Sequence, residues 1–130
     1  MIGKTWLRIA ILTMLLATSA APAKTVREQM HDPGFHIYSV IFAFSIDQAS
    51  KLRTFRVVEV DDPASGTNNA VNIPVPAAYV EAARKKMQAK HSEPTLKDGK
   101  PAEHFTYFLY EPGHPGAVIS DLDQPIDRQP

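Results

Sequence analysis

Apolar and polar positions alternate along residues 36–46. Tyr38, Val40, Phe42, Phe44 and Ile46 fall on one side of an extended chain, and Ile37, Ser39, Ile41, Ala43 and Ser45 on the other. A period of two, rich in aromatic and β-branched residues, predicts a strand whose more hydrophobic side faces the core. A polar connection of hairpin length, residues 47–50, leads to a second strand over residues 51–60. Its sides are mixed: Phe55 and Val57 pull one set inward, Leu52, Val58 and Val60 the other. A β-bulge inside the strand would let both ends bury their apolar residues.

Residues 61–75 read as a loop, because Asp61-Asp62-Pro63, Ser65-Gly66, Asn68-Asn69 and Pro74 are turn chemistry. The period then changes to that of a helix over residues 76–90. Tyr79, Val80, Ala83 and Met87 form its buried stripe, while Glu81, Arg84, Lys85 and Gln88 point outward. Pro76 suits a helix start and Pro94 stops any continuation. After an Asp98-Gly99 turn, residues 105–110 form a third strand that is aromatic on both faces. Phe105, Tyr107 and Leu109 lie on one face, Phe108 and Tyr110 on the other. A strand apolar on both sides is either covered twice or is an edge with a partner.

The ends of the chain have a different character. Lys4 and Arg8 precede an apolar run at residues 9–17, and Ala21-Pro22-Ala23 supplies a small-x-small pattern. Residues 1–23 therefore read as a cleavable signal peptide, and the run is shorter than the about 20 residues of a bilayer span. The exported protein would be periplasmic or secreted, without stable membrane insertion. Residues 24–35 read as a flexible arm. Residues 111–130 hold four of the 11 prolines and several carboxylates and read as a mostly disordered tail, in which only residues 117–120 could add a short strand. Between them, residues 36–110 make one small domain.

Charge and chemistry narrow the function by exclusion. Beyond residue 23 there are 12 lysines and arginines against 14 aspartates and glutamates, a net charge of −2. A nucleic-acid-binding surface calls for a basic excess, so that partner class is not expected. With no cysteine, the fold has no disulfide to lean on. The five histidines, His31, His36, His91, His104 and His114, show no i,i+4 metal spacing. His31 and His36 straddle a Pro33-Gly34 turn, a spacing too common to indicate a metal. Asp61-Asp62 reads as solvated, and Asp121, Asp123 and Asp127 lack the glycine and final glutamate of a calcium loop. No nucleophile elbow, phosphate loop or dinucleotide fingerprint is present. Neither an enzyme nor a cofactor protein is expected, and no catalytic or metal-ligating residue is assigned.

The order of these pieces resembles the C-terminal periplasmic domain of TonB, the energy-transducing protein of Gram-negative bacteria. The resemblance rests on YSVIFAFSID, KLRTFRVVEV, the helix YVEAARKKMQAK, the break Ser92-Glu93-Pro94, the turn Gly99-Lys100-Pro101 and HFTYFLY. It implies an α+β fold, a three-stranded antiparallel sheet with one helix on its face in the order β-β-α-β. It also implies a function: binding a protein or peptide segment, such as part of an outer-membrane receptor, by adding it as a strand beside Phe105, Thr106, Tyr107, Phe108, Leu109 and Tyr110. Tyr107 and Tyr110 would frame the partner, and the same edge would allow a homodimer. The chain departs from the family in lacking a proline-rich spacer and, once cleaved, a membrane anchor. The first turn carries Gln48-Ala49-Ser50 in place of the usual Asp-Gly. The alternative is a periplasmic structural or accessory protein without a receptor partner.

Overall fold

The computed structural model describes residues 23–65, 69–90 and 93–126. The expected signal peptide up to residue 22, His91, Ser92 and Asp127 lie outside the described residues. The elements run α1 (Val26–Gln29), β1 (Tyr38–Ile46), β2 (Leu52–Asp62), β3 (Asn69–Ala70), α2 (Ala77–Ala89), β4 (Leu96–Lys97), β5 (Lys100–Pro101) and β6 (His104–Tyr110), with a 3-10 turn at Pro63–Ser65. The class is α+β. The sheet is antiparallel and four-stranded, in the order β3-β2-β1-β6, so one short strand joins the three expected. That strand comes from the segment read as loop. Its apolar neighbours Val71, Ile73 and Val75 alternate and pack against the core, a strand-like pattern hidden among turn residues.

β1 is the centre of the sheet, and its predicted inward side is its buried side. Val40 and Phe42 are fully buried, and Phe44 and Ile46 nearly so. Phe42 stacks on Phe55 at 4.4 Å between ring centres and meets Phe108 at 6.2 Å. Such offset aromatic pairs add to the gain from burial alone. Helix α2 closes this layer with Tyr79, Ala83 and Met87, the stripe its spacing predicts. Arg84 and Lys90 reach over the core aromatics: Arg84 Cζ lies 5.6 Å from the Phe55 ring centre and Lys90 Nζ 5.4 Å from that of Phe108.

The mixed sides of β2 are resolved by a bulge. Ile41 pairs with Glu59 and Phe42 with Val57, which leaves Val58 as the extra residue. Phe55 and Val57 therefore face the helix before it and Val60 after it, while Val58 stays exposed. The β1–β2 turn is held by Asp47, whose carboxylate accepts from the backbone N–H of Ala49 and Lys51 and from Arg53. The Lys51 N–H is the largest cause holding that carboxyl below its ordinary value. In the β4–β5 hairpin, Asp98 and Gly99 both have positive φ, the turn that a two-residue connection requires. Buried Thr95 pins the hairpin to the end of β1 through bonds to both backbone groups of Ile46.

Both expected flexible ends are folded against each other. Thr25 caps α1 by accepting from Glu28 N, and Val26 is fully buried. Residues 111–126 fold back instead of forming a disordered tail. Val26 N donates to Gln124 O, Arg27 N to Leu122 O and Ile126 N to Lys24 O. Val26, Ile37, Ile119 and Ile126 form a second core, with Phe35, Leu109, Ala117 and Leu122 packed around it. Gln29, 1 % exposed, ties the ends together by donating to Ile126 O at 2.7 Å. Composition misled here because each end alone has too little apolar surface to order itself, whereas the two together bury a shared core.

Candidate functional site

β6 flanks β1 and forms the outer margin of the sheet on that side. In an antiparallel ladder the N–H and C=O of one residue point the same way, and successive residues alternate. Leu109 N donates to Ile119 O at 2.8 Å and Leu109 O accepts from Ile119 N at 3.1 Å, so Leu109 points away from β1. By the same alternation Phe105 and Tyr107 point outward, while His104, Thr106, Phe108 and Tyr110 point to β1. Among the described residues, the outward groups of Phe105 and Tyr107 have no backbone partner.

The side chains sort just as sharply. Phe105 and Tyr107 are 67 % and 65 % exposed, the two most exposed large hydrophobic side chains described. They stand on the face opposite α2. Across the strands behind them lie the fully buried Ala43 and the half-buried Ile41. An ion pair from Arg56 to Glu103, 2.9 Å long, crosses the same face. Phe108 and Tyr110 are instead buried beneath α2. Tyr110 packs on Tyr79 at 4.8 Å, which removes it from the role of framing a partner. Burial first, then nearby Glu111, raises the Tyr110 hydroxyl above its ordinary value; for Tyr79 the causes are burial and then Tyr110. Tyr79 Oη donates to Leu109 O at 2.7 Å, so the helix also braces β6.

Two features bound the open stretch. β6 begins at His104, and at the other end Ile119 of the returning chain occupies the Leu109 position. Between them Lys90, Tyr107, Phe108, Ile119 and Asp121 help to line a groove of about 600 Å³. This margin can hydrogen-bond an extended backbone and press apolar side chains against two aromatic rings.

The other polar candidates are engaged or apart. His36 Nε2 meets Asp62 Oδ1 at 2.9 Å, and His31 is exposed. Half-buried His114 and buried Glu111 pair at 2.7 Å in the turn after β6, where a Cβ on Gly113 would lie 2.8 Å from Glu111 Oε2 and displace that carboxylate. Asp61, expected in a solvated loop, is the penultimate residue of β2 and is buried, with Oδ1 unpaired. Among the described residues, no three His, Asp or Glu side chains are placed to hold a metal ion. The sequence marks residues 117–120 as able to add a short strand but does not place Ile119 beside Leu109. The available signal was the apolar pair Val118-Ile119, whose members face the two different cores.

Comparisons of the chain with family models, with curated proteins and with solved structures returned no match. Function is therefore argued from the site.

Proposed function

We propose that this protein is an exported binding module that captures an extended protein or peptide segment by strand addition along β6. The observation that carries this reading is the pair of outward N–H and C=O groups at Phe105 and Tyr107 beside two exposed aromatic rings. A bare edge invites pairing with another chain, and most proteins blunt such an edge with charge, proline or a covering segment. Backbone pairing supplies affinity and alternate side-chain contacts supply selectivity. By its resemblance to the TonB C-terminal domain, a segment of an outer-membrane receptor is the partner to test first, in the periplasm. A second copy of the chain is the other candidate for the same edge.

Ile119 favours the alternative reading, a periplasmic scaffold, because it already covers one position of that edge. A pull-down from a periplasmic and outer-membrane extract separates the two. The control is Tyr107→Pro, which removes an outward N–H and leaves the bonds to β1 in place. Thr106→Pro is unsuitable, because Thr106 bonds toward β1 opposite Phe42. A receptor retained by the wild type and lost with Tyr107→Pro supports strand addition. Equal retention by both, or no capture, favours the scaffold. Self-capture alone that is lost with Tyr107→Pro points to edge-to-edge dimers.

A further inference from the structure

The returning chain shows how a strand added beside β6 is read. Ile119 pairs antiparallel with Leu109, so the next residue, Ser120, stands opposite Phe108. Val118 lies in the core under α2 and Ile119 in the other core, and alternation therefore turns Ser120 to the α2 side. There Lys86 Nζ donates to Ser120 Oγ at 2.6 Å. At Asp121 the chain leaves the edge, its Oδ1 accepting from Asp123 N and its carbonyl from Gln124 N. The places opposite Tyr107, Thr106 and Phe105 are left for a guest.

Lys90 lies one turn beyond Lys86 on the same side of α2. The helix runs from the Leu109 end of β6, where Tyr79 Oη bonds, toward the end of β1, where Met87 and Lys90 lie beside Ile46. Four helical residues advance about 6.0 Å, close to the about 6.6 Å of two strand residues. As Lys86 serves the place opposite Phe108, Lys90 serves the place opposite Thr106. Its Nζ lies 5.4 Å over the Phe108 ring, and it lines the groove beside Tyr107. Among the described residues, no carboxylate pairs with Lys86 or Lys90. Of the other charged groups lining this groove, Arg27 pairs with Asp123 at 3.0 Å and Asp121 accepts from its own turn. An unmatched ammonium beside an open edge complements a carboxylate on the incoming strand.

Resting on strand addition along β6, we propose that the captured segment carries an acidic residue between two apolar ones. It runs antiparallel to β6, in line with Ile119. Its carboxylate meets Lys90 on the α2 side, and its apolar neighbours lie beside the exposed rings of Tyr107 and Phe105 on the other.

Three capped peptides test it: acetyl-Val-Glu-Val-Thr-amide and the same chain with Gln or Lys in place of Glu. Each is titrated into the purified protein and followed by amide NMR shifts, with the β1 amides as the check that every variant is folded. The Glu peptide is expected to shift Phe105 and Tyr107 saturably. It should bind about two- to fivefold more tightly than the Gln peptide, the scale of an exposed ion pair, with the Lys peptide weakest. Lys90→Gln should bring the Glu and Gln peptides to similar affinity. Lys85→Gln, at an exposed position of the same helix, should leave the preference unchanged. Equal binding of all three peptides, lost with Tyr107→Pro, would overturn the acidic preference and leave strand addition standing. A preference for Glu that survives Lys90→Gln would also overturn the proposal. Saturable shifts with none of the peptides would overturn it together with strand addition.

Discussion

The two cores of this protein are built by different rules. The larger lies between the sheet and α2, and each of its main elements carries a periodic pattern: every second residue in β1, every third or fourth in α2. The smaller lies on the opposite face and comes from segments without a period, the arm before β1 and the chain after β6. It is held largely by hydrogen bonds between residues almost a hundred positions apart, such as the backbone bond Val26 N to Gln124 O and the side-chain bond Gln29 Nε2 to Ile126 O. The first core is patterned in its main elements and takes Val118 from the returning chain. The second leans on the first, because Leu109 gains its place in a strand already paired to β1, and Ile37 directly precedes that strand. A hierarchy of stability follows, with the ends as the weaker cooperative unit.

The largest expected effect comes from the centre of the first core. Phe42→Ala removes a fully buried ring in contact with Phe55 and Phe108. It should cost about 3–5 kcal/mol in a denaturant unfolding experiment, lowering the midpoint of the whole protein. Ile119→Ala sits equally deep in the second core, and its truncation should cost about 2–4 kcal/mol. Hydrogen exchange should then quicken at Val26, Arg27 and Ile126 while the β1 amides keep their protection. Uniform acceleration across both cores would show that they unfold as one unit.

Gln29→Ala leaves the buried Ile126 carbonyl without its side-chain donor and should cost about 1–3 kcal/mol, again at the ends. Proteolysis near the C-terminus is a direct readout. The smallest effect at neutral pH is Tyr79→Phe, about 1 kcal/mol for the bond to Leu109 O. Its signature is the pH dependence. Burial, and then Tyr110, raise the Tyr79 hydroxyl above its ordinary value of 10.0, so folding favours the neutral form. That contribution is complete below pH 10.0 and is lost as pH rises beyond it, when the unfolded chain ionises and the folded one resists. Wild-type thermal stability should therefore decline above about pH 10, and Tyr79→Phe should flatten part of the decline.

The candidate site was legible in part. Residues 105–110 stand out in the sequence because both faces are aromatic, and in the structure they form an outer strand. Which of the six remain available was not legible. Tyr107 and Tyr110 look alike as letters, yet one is exposed and the other lies under Tyr79. That assignment depends on which face α2 covers. The occupation of Leu109 by Ile119 depends on a contact between distant segments. Asp61 and Asp62 looked like solvated loop residues because β3 is too short to announce itself.

By itself the sequence determined the α+β class, the inward side of β1, the buried stripe of α2, the Asp98-Gly99 turn and the mixed sides of β2 that a bulge reconciles. All of these are local: they follow from periodicity and turn preferences that act within a few residues. Tertiary structure alone decided the fourth strand, the order of both ends and which parts of the β6 edge stay open. Each of those depends on backbone and apolar groups far apart in sequence finding one another, and marginal segments order only when a distant partner shares the entropic cost.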